Sequence, residues 1–330
     1  MISMPKIQGL KKMIRILLSA GIFLVGMSLA IAQEFPTRAV KFIVPFPPGS
    51  GTDTSARYYG KKFTELTGQP VIVENRPGAN GIIAVKAVLA APADGYTVFI
   101  GSNSTLAVNV ALIKSLPYDP QVDFLPLTMM MRSPTLLVTA ADSQHKSVKG
   151  LIQVAKTSPG KLNYASGSAG YQLMAELFNE MAGVETNNIP YKGASEALTS
   201  VTSNTVDFAF SDITAALELV KGGKLNALAI TSEKRLSSLP QLPTVNESGL
   251  IGFSSYTWVG AMVSSKTPKP EYEKLVGVLS KIVALPETKD FYEKLGAEVM
   301  KPGPDVMRNF QASEIVQWKR IVTKAKVEQQ

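Results

Sequence analysis

Residues 40–53 read Val40-Lys41-Phe42-Ile43-Val44-Pro45-Phe46-Pro47-Pro48-Gly49-Ser50-Gly51-Thr52-Asp53. The apolar run over 40–45 has the composition of a buried strand, and the Pro/Gly/Ser stretch behind it is a tight turn. Residues 52–66 follow as a predicted amphipathic helix, closed by Gly68. A strand, a glycine-rich turn and a helix in that order form half of a βαβ unit. Where the pattern recurs along a chain, the fold class is α/β around a mostly parallel sheet.

Working outward, the pattern does recur. Residues 71–73, 81–89 and 96–100 read as strand, helix and strand, and another helix starts after Ser104. Over 124–139 the chain changes character: two apolar runs are interrupted by Arg132-Ser133-Pro134, with no helix between them. This stretch is read as a crossing into a second lobe. There, helices over 147–156, 171–181, 194–202 and 213–221 alternate with strands over 162–165, 186–189, 206–210 and 225–231. After the proline-rich stretch 239–244, the apolar segment 256–263 leads back to the first lobe, and helices from about Lys269, Glu287 and Pro304 complete it. The expected organisation is therefore lobe 1 from 33–133 and 256–330, lobe 2 from 134–255, each a mixed, mostly parallel sheet flanked by helices. Two crossings make a hinge.

The amino terminus carries Lys6, Lys11, Lys12 and Arg15, then an apolar run over 16–30 and the small-residue sequence Ala30-Ile31-Ala32. That is the pattern of a secretory signal peptide spanning 1–32, with cleavage expected after Ala32 and a periplasmic location for the product. Its removal lowers the net charge from +8 to +4. The remaining Lys and Arg are spread singly rather than in a stripe interleaved with aromatics, so no nucleic-acid partner is expected. The sequence holds no cysteine and a single histidine, His145. Disulfides, thiolate metal sites and a lipidated amino-terminal cysteine are excluded, and a catalytic zinc is not expected.

Several ordered segments carry a family resemblance: Phe35-Pro36-Thr37-Arg38, the 43–53 turn, Val73-Glu74-Asn75-Arg76-Pro77-Gly78-Ala79, Ala93-Asp94-Gly95-Tyr96-Thr97 and Leu116-Pro117-Tyr118-Asp119-Pro120. Pro159-Gly160-Lys161-Leu162-Asn163-Tyr164, Pro190-Tyr191-Lys192-Gly193 and the segment 242–249, Leu-Pro-Thr-Val-Asn-Glu-Ser-Gly, continue the series. In that order they resemble the Bug-type extracytoplasmic receptors of tripartite tricarboxylate transporters, over nearly the whole chain past the signal segment. The resemblance implies a two-lobed periplasmic binding protein of the Venus-flytrap, type II-like kind. It also implies a small-molecule ligand, an organic acid first, delivered to separate membrane permease subunits. A monomer without cofactor is expected.

Such a receptor can hold a carboxylate without cationic side chains. Backbone N–H groups at a helix N-terminus lack intrahelical partners, and the helix dipole favours negative charge. Three strand-to-helix turns have the composition for this, at 47–53, 101–105 and 166–170. In the first, Gly49 and Gly51 allow the backbone to approach a ligand, Phe46 walls the pocket and Thr52 offers a hydroxyl. The alternative is an ordinary turn in which Thr52 or Asp53 caps the helix, and capping is the preferred reading for Asp53. In the second, Ser102, Asn103 and Ser104 either hydrogen-bond a ligand oxygen or cap a helix. In the third, Ser166, Gly167 and Ser168 lead into Tyr171 and Gln172, the latter standing where the family commonly has a histidine. Tyr191 and Asp212 match positions that tend to face the cleft in the family. Asp212 either accepts from a ligand ammonium or hydroxyl or caps the helix behind it. Trp258 is weighed as a cleft wall against plain core, and Arg57 and Arg76 are read as surface-paired.

An enzyme is not expected. A hydrolytic triad would depend on His145 alone, and no Gly-x-Ser-x-Gly, dinucleotide or phosphate-loop spacing occurs. An extracytoplasmic sensor feeding a membrane kinase shares the expected architecture and remains the other reading.

Overall fold

The computed structural model describes residues 34–330, so the expected signal peptide and its cleavage point lie outside the described residues. The chain runs β1 (Val40–Val44), α1 (Gly51–Thr67), β2 (Val71–Asn75), α2 (Ile82–Ala90) and β3 (Thr97–Ser102). A π-helical turn over Ser104–Val108 then leads into the short helix α3 (Asn109–Leu112). The long strand β4 (Phe124–Ala140) follows, then α4 (Val148–Thr157), β5 (Asn163–Ser166), α5 (Ala169–Ala182), β6 (Asn187–Pro190) and α6 (Ala194–Thr202). The remainder is β7 (Phe208–Asp212), α7 (Ile213–Lys221), β8 (Leu225–Ile230), β9 (Tyr256–Ser264), α8 (Lys269–Val283), α9 (Pro286–Lys294), β10 (Glu298–Val299) and α10 (Pro304–Lys324).

The strands follow one path, β2-β1-β3-β9-β4-β7-β5-β6, with β8 and β10 also on β4. Pairs β1–β2, β1–β3, β5–β6 and β5–β7 are parallel, as helical crossovers require, whereas every pair made by β4 is antiparallel. The fold is thus α/β with mixed sheets, as the alternation predicts. Both faces of the inner parallel strand β1 are covered, while the edge strands β2 and β6 remain part-exposed. In β1, Val40, Phe42 and Val44 on one face are fully buried, and so is Ile43 on the other. Around β4, Leu137, Phe208 and Phe210 fill one core while Leu136, Val138 and Ala209 fill the opposite one, the period-2 alternation expected of a sheet with helices on both sides.

One expectation about local structure is corrected. The Arg132-Ser133-Pro134 interruption does not separate two runs: β4 passes through it as a single strand of 17 residues. Pairing with β9 ends at Pro134↔Tyr256 and pairing with β7 begins at Thr135↔Asp212. Proline has no N–H to give a ladder, and here it stands where the strand exchanges partners.

Candidate ligand site

The carboxyl ends of β1, β3, β5 and β7 bring their turns around one cavity of about 30 Å3. The turn after β1 is held rigidly. Ser50 is the N-cap of α1, its Oγ accepting from Asp53 N at 3.2 Å, two and three positions before Thr52 and Asp53, the residues expected to cap. Asp53 serves the turn in another way. Its Oδ2 accepts from Gly49 N and from Arg57 Nε, both at 3.0 Å, and its Oδ1 accepts from Asn75 Nδ2 at 2.8 Å. Asn75 Nδ2 also donates to the Phe46 carbonyl at 2.9 Å. Burial pushes the Asp53 carboxyl up, but hydrogen bonds from Arg57, Gly49 and Asn75 outweigh it and hold the group below its ordinary value. Gly49 itself sits at φ +86°, a conformation that L side chains rarely adopt. Phe46, Gly51 and Thr52 are left facing the cavity.

Ser102, Asn103 and Ser104 at the end of β3 also line it. Ser102 Oγ accepts from Ser104 N at 3.2 Å and so braces its own loop. The Ser104 hydroxyl reaches across the cavity, donating to Ser168 Oγ at 3.2 Å and accepting from Gly170 N at 3.0 Å. Asn103 is 2% exposed, and its Nδ2 has no hydrogen-bond partner. On the facing side, Gly167, Ser168 and Tyr171 stand at the start of α5, and Asp212 ends β7. Asp212 makes no capping bond to α7; its Oδ2 accepts from Gly51 N at 3.3 Å instead. Burial pushes this carboxyl up against the opposing pull of Tyr171 and Gly51.

Three close approaches join the two sides. Beside the Gly51–Asp212 bond, a Cβ at Gly170 would lie 2.7 Å from Asn103 Nδ2, and one at Gly193 would lie 2.8 Å from Pro47 Cδ. Glycine is required where backbone meets the opposite wall.

Four expected residues are placed elsewhere. Gly49 shapes the turn without lining the cavity. Ser166 donates to Asn188 Oδ1 at 2.6 Å, while its carbonyl accepts from Tyr191 N at 2.8 Å. Gln172 accepts from Gln330 Nε2 at 3.4 Å, on the flank of α5 toward the carboxyl terminus. Tyr191 lines an adjoining groove with Pro45, Asn80 and Lys192, which shares Phe46, Gly167 and Ser168 with the cavity, and it packs on the core around Leu136.

Apart from Trp258, the floor escaped the sequence reading. Met131 from β4 and Thr257, Trp258 and Val259 from β9 form it, paired in register Met131↔Val259, Arg132↔Trp258 and Ser133↔Thr257. Trp258 combines both weighed roles: it is fully buried and faces the cavity. Its Nε1 donates to Glu314 Oε2 at 2.9 Å, and Trp318 Nε1 donates to the same oxygen at 3.1 Å. Burial pushes the Glu314 carboxyl up despite both indoles. The cavity lining contains no Lys, Arg or His and one carboxylate, Asp212. Among the described residues there is no group of three or more His, Cys, Asp or Glu placed to hold a metal ion, and no helix long and apolar enough to cross a membrane.

Solved structures share this fold. The chain superposes on Rpa4515 of R. palustris, described with adipate, with a TM-score of 0.85 and 32% identity over 89% of this chain and 99% of that one. It superposes on MatC of Rhodopseudomonas palustris, described with bound malate, with a TM-score of 0.82 and 30% identity over 87% and 100% of the two chains. The fold is therefore that of the periplasmic binding proteins. BugT of Bordetella pertussis is 36% identical over 321 residues, 94% of this chain and 97% of its own length. The model of the tripartite tricarboxylate transporter family receptor matches residues 56–327. The chain belongs to that family: it is a periplasmic solute receptor of a non-catalytic transport class, working with separate membrane subunits.

Proposed function

We propose that this receptor takes a small organic carboxylate into the cavity between a lobe of residues 33–133 and 256–330 and a lobe of residues 134–255. The lobes close over the ligand as a Venus flytrap. Support for the hinge comes from the connections: β4 exchanges β9 for β7 between Pro134 and Thr135, and β9 begins at Tyr256. The Thr231 hydroxyl bridges the two crossings, donating to Ser255 O at 2.7 Å and accepting from Thr135 N at 2.8 Å.

The observation that carries the ligand class is the lining itself. The amino termini of α1 and α5 face the cavity from its two sides with short polar side chains and no cationic one. N–H groups and helix dipoles then supply the positive potential. That adipate and malate accompany relatives of the same fold agrees with this reading. Phe46, Gly51, Thr52, Ser102, Asn103, Ser104, Gly167, Ser168, Tyr171 and Asp212 are the residues assigned to ligand contact.

About 30 Å3 admits roughly two water molecules and no diacid. Ligand therefore enters an opened form and is enclosed by walls that close less tightly than here, with the differential affinity for that liganded form driving the change. Small-angle scattering of the purified protein, with and without a panel of mono-, di- and aromatic carboxylates, tests this. Saturating ligand is expected to lower the radius of gyration and raise the melting temperature, by about 2.7 kcal/mol of stability at 100 times Kd. Binding without compaction would refute the hinge; silence across the carboxylates, with neutral amides bound, would refute the ligand class.

A further inference from the structure

We propose that Asp212 sets ligand specificity by demanding a hydrogen-bond donor, so that this receptor selects amino or hydroxy acids over unsubstituted acids of the same length. The inference rests on the carboxylate reading above and narrows it.

Two features of the cavity make opposite demands. Asn103 Nδ2 is a buried donor with no partner, on a side chain that lines the cavity. A buried unpaired donor is unfavourable until something accepts from it, and a ligand carboxylate oxygen can do so. Asp212 asks for the reverse. Its carboxylate is 8% exposed, lines the same cavity and has no cationic side chain among the lining residues to neutralise it. The groups that reach it are the Gly51 N–H, at 3.3 Å, and the Tyr171 hydroxyl.

Gly51 is the first residue of α1, so Asp212 already occupies an acceptor position at the helix terminus that an anion would seek. A bare carboxylate placed there meets a second carboxylate at close range, in surroundings that screen poorly, and the like charges oppose each other. An ammonium or hydroxyl on the carbon beside the ligand carboxylate changes the sign of that contact. It donates to Asp212 while the carboxylate turns to Asn103 Nδ2 and the helix N–H groups. The ammonium also cancels one negative charge of the ligand in a cavity whose lining carries the Asp212 carboxyl. The ammonium member of any series is expected to bind tightest, then the hydroxyl member, then the unsubstituted acid.

Three matched series test this by isothermal titration with the purified protein: propanoate, lactate and alanine; succinate, malate and aspartate; adipate, 2-hydroxyadipate and 2-aminoadipate. In whichever length binds, the amino or hydroxy member is expected to exceed the unsubstituted acid by about tenfold or more. Asp212→Asn keeps the shape and removes the charge. It is expected to bring the members of that series within about threefold of one another, chiefly by tightening the unsubstituted acid. If the native protein binds the unsubstituted member equally or better, the inference fails and the carboxylate reading stands. A folded Asp212→Asn protein that keeps the full preference also overturns it. Binding of none of the nine acids would overturn this inference, and the carboxylate reading falls with it only where the aromatic carboxylates of the panel above also fail to bind. Should Asp212→Asn fail to fold, the native series alone decides.

Discussion

The two helix amino termini that face the cavity are built differently. The turn that leads into α1 is braced by its own neighbourhood, through the Ser50 cap, the Asp53 bonds to Gly49 and Arg57, and Asn75 tying Asp53 to the Phe46 carbonyl, while its Gly51 N–H reaches Asp212 across the cavity. That of α5 has no side-chain cap from Ser168, and its Gly170 N–H finds its acceptor in Ser104 on the opposite wall. One terminus has a side-chain cap of its own besides its contact across the cavity; the other has no side-chain cap and finds its side-chain acceptor only on the opposite wall. A receptor gains from this division. On the proposed hinge closure, the locally braced terminus would present N–H groups to an arriving anion at little ordering cost, while the other would make closure worth a hydrogen bond.

The largest expected effect comes from breaking the uncapped side. Gly170→Ala would put a methyl group 2.7 Å from Asn103 Nδ2 and 2.9 Å from Ser104 Oγ, with no space to spare. Overpacking of this kind costs about 1–3 kcal/mol, which as lost closure is roughly 5- to 150-fold in ligand affinity. Alanine is also the better helix former, so the ligand-free protein should melt no lower than the parent. Titration followed through the emission of Trp258, which lines the cavity, reads the affinity. Undiminished affinity would mean that α5 does not meet the opposite wall in the bound form.

The locally braced side is tested through pH. Asp53 is held below its ordinary value, so its contribution to stability is present above the unfolded value of about 3.9 and is lost as pH falls through the lower folded value. Asp53→Asn is expected to cost about 1–2 kcal/mol at neutral pH by weakening the bonds to Gly49 and Arg57. The gap between variant and parent melting temperatures should close as the pH is taken below about 4. A gap that stays constant with pH would show that shape alone, and not the charge, holds the turn.

How much of this contrast the sequence carries depends on the residue. The three turns are legible because glycine and serine after an apolar run leave little else that they can be. The 40–53 stretch alone fixes strand, turn and helix, and Gly68 does close α1 in the left-handed conformation at φ +72°. Continuity of β4 is not legible, because Pro134 reads locally as a break and only the exchange of β9 for β7 explains why it is tolerated. Met131 and Val259 carry no mark either, since an apolar strand residue has the same appearance whether its face meets core or cavity. Gln172 was expected at the cavity by resemblance rather than by chemistry, and the structure places it toward Gln330. Ser50 stands two and three residues before the capping positions read from sequence, an error inherent in locating helix ends without coordinates.

The smallest expected effect compares the two serines that begin the two helices. Ser50→Ala removes an acceptor from Asp53 N that nothing else in the turn replaces, a loss of about 1 kcal/mol in stability. Ser168→Ala removes no cap, because Ser168 makes none; it removes the hydroxyl that accepts from Ser104 across the cavity. Its thermal stability without ligand should stay within about 0.5 kcal/mol of the parent, while its ligand affinity falls by a few fold. The two substitutions are chemically identical, so helix propensity and lost side-chain volume cancel between them. A drop in stability for Ser168→Ala equal to that for Ser50→Ala would mean that α5 is braced locally after all, and that the asymmetry between the two termini does not govern closure.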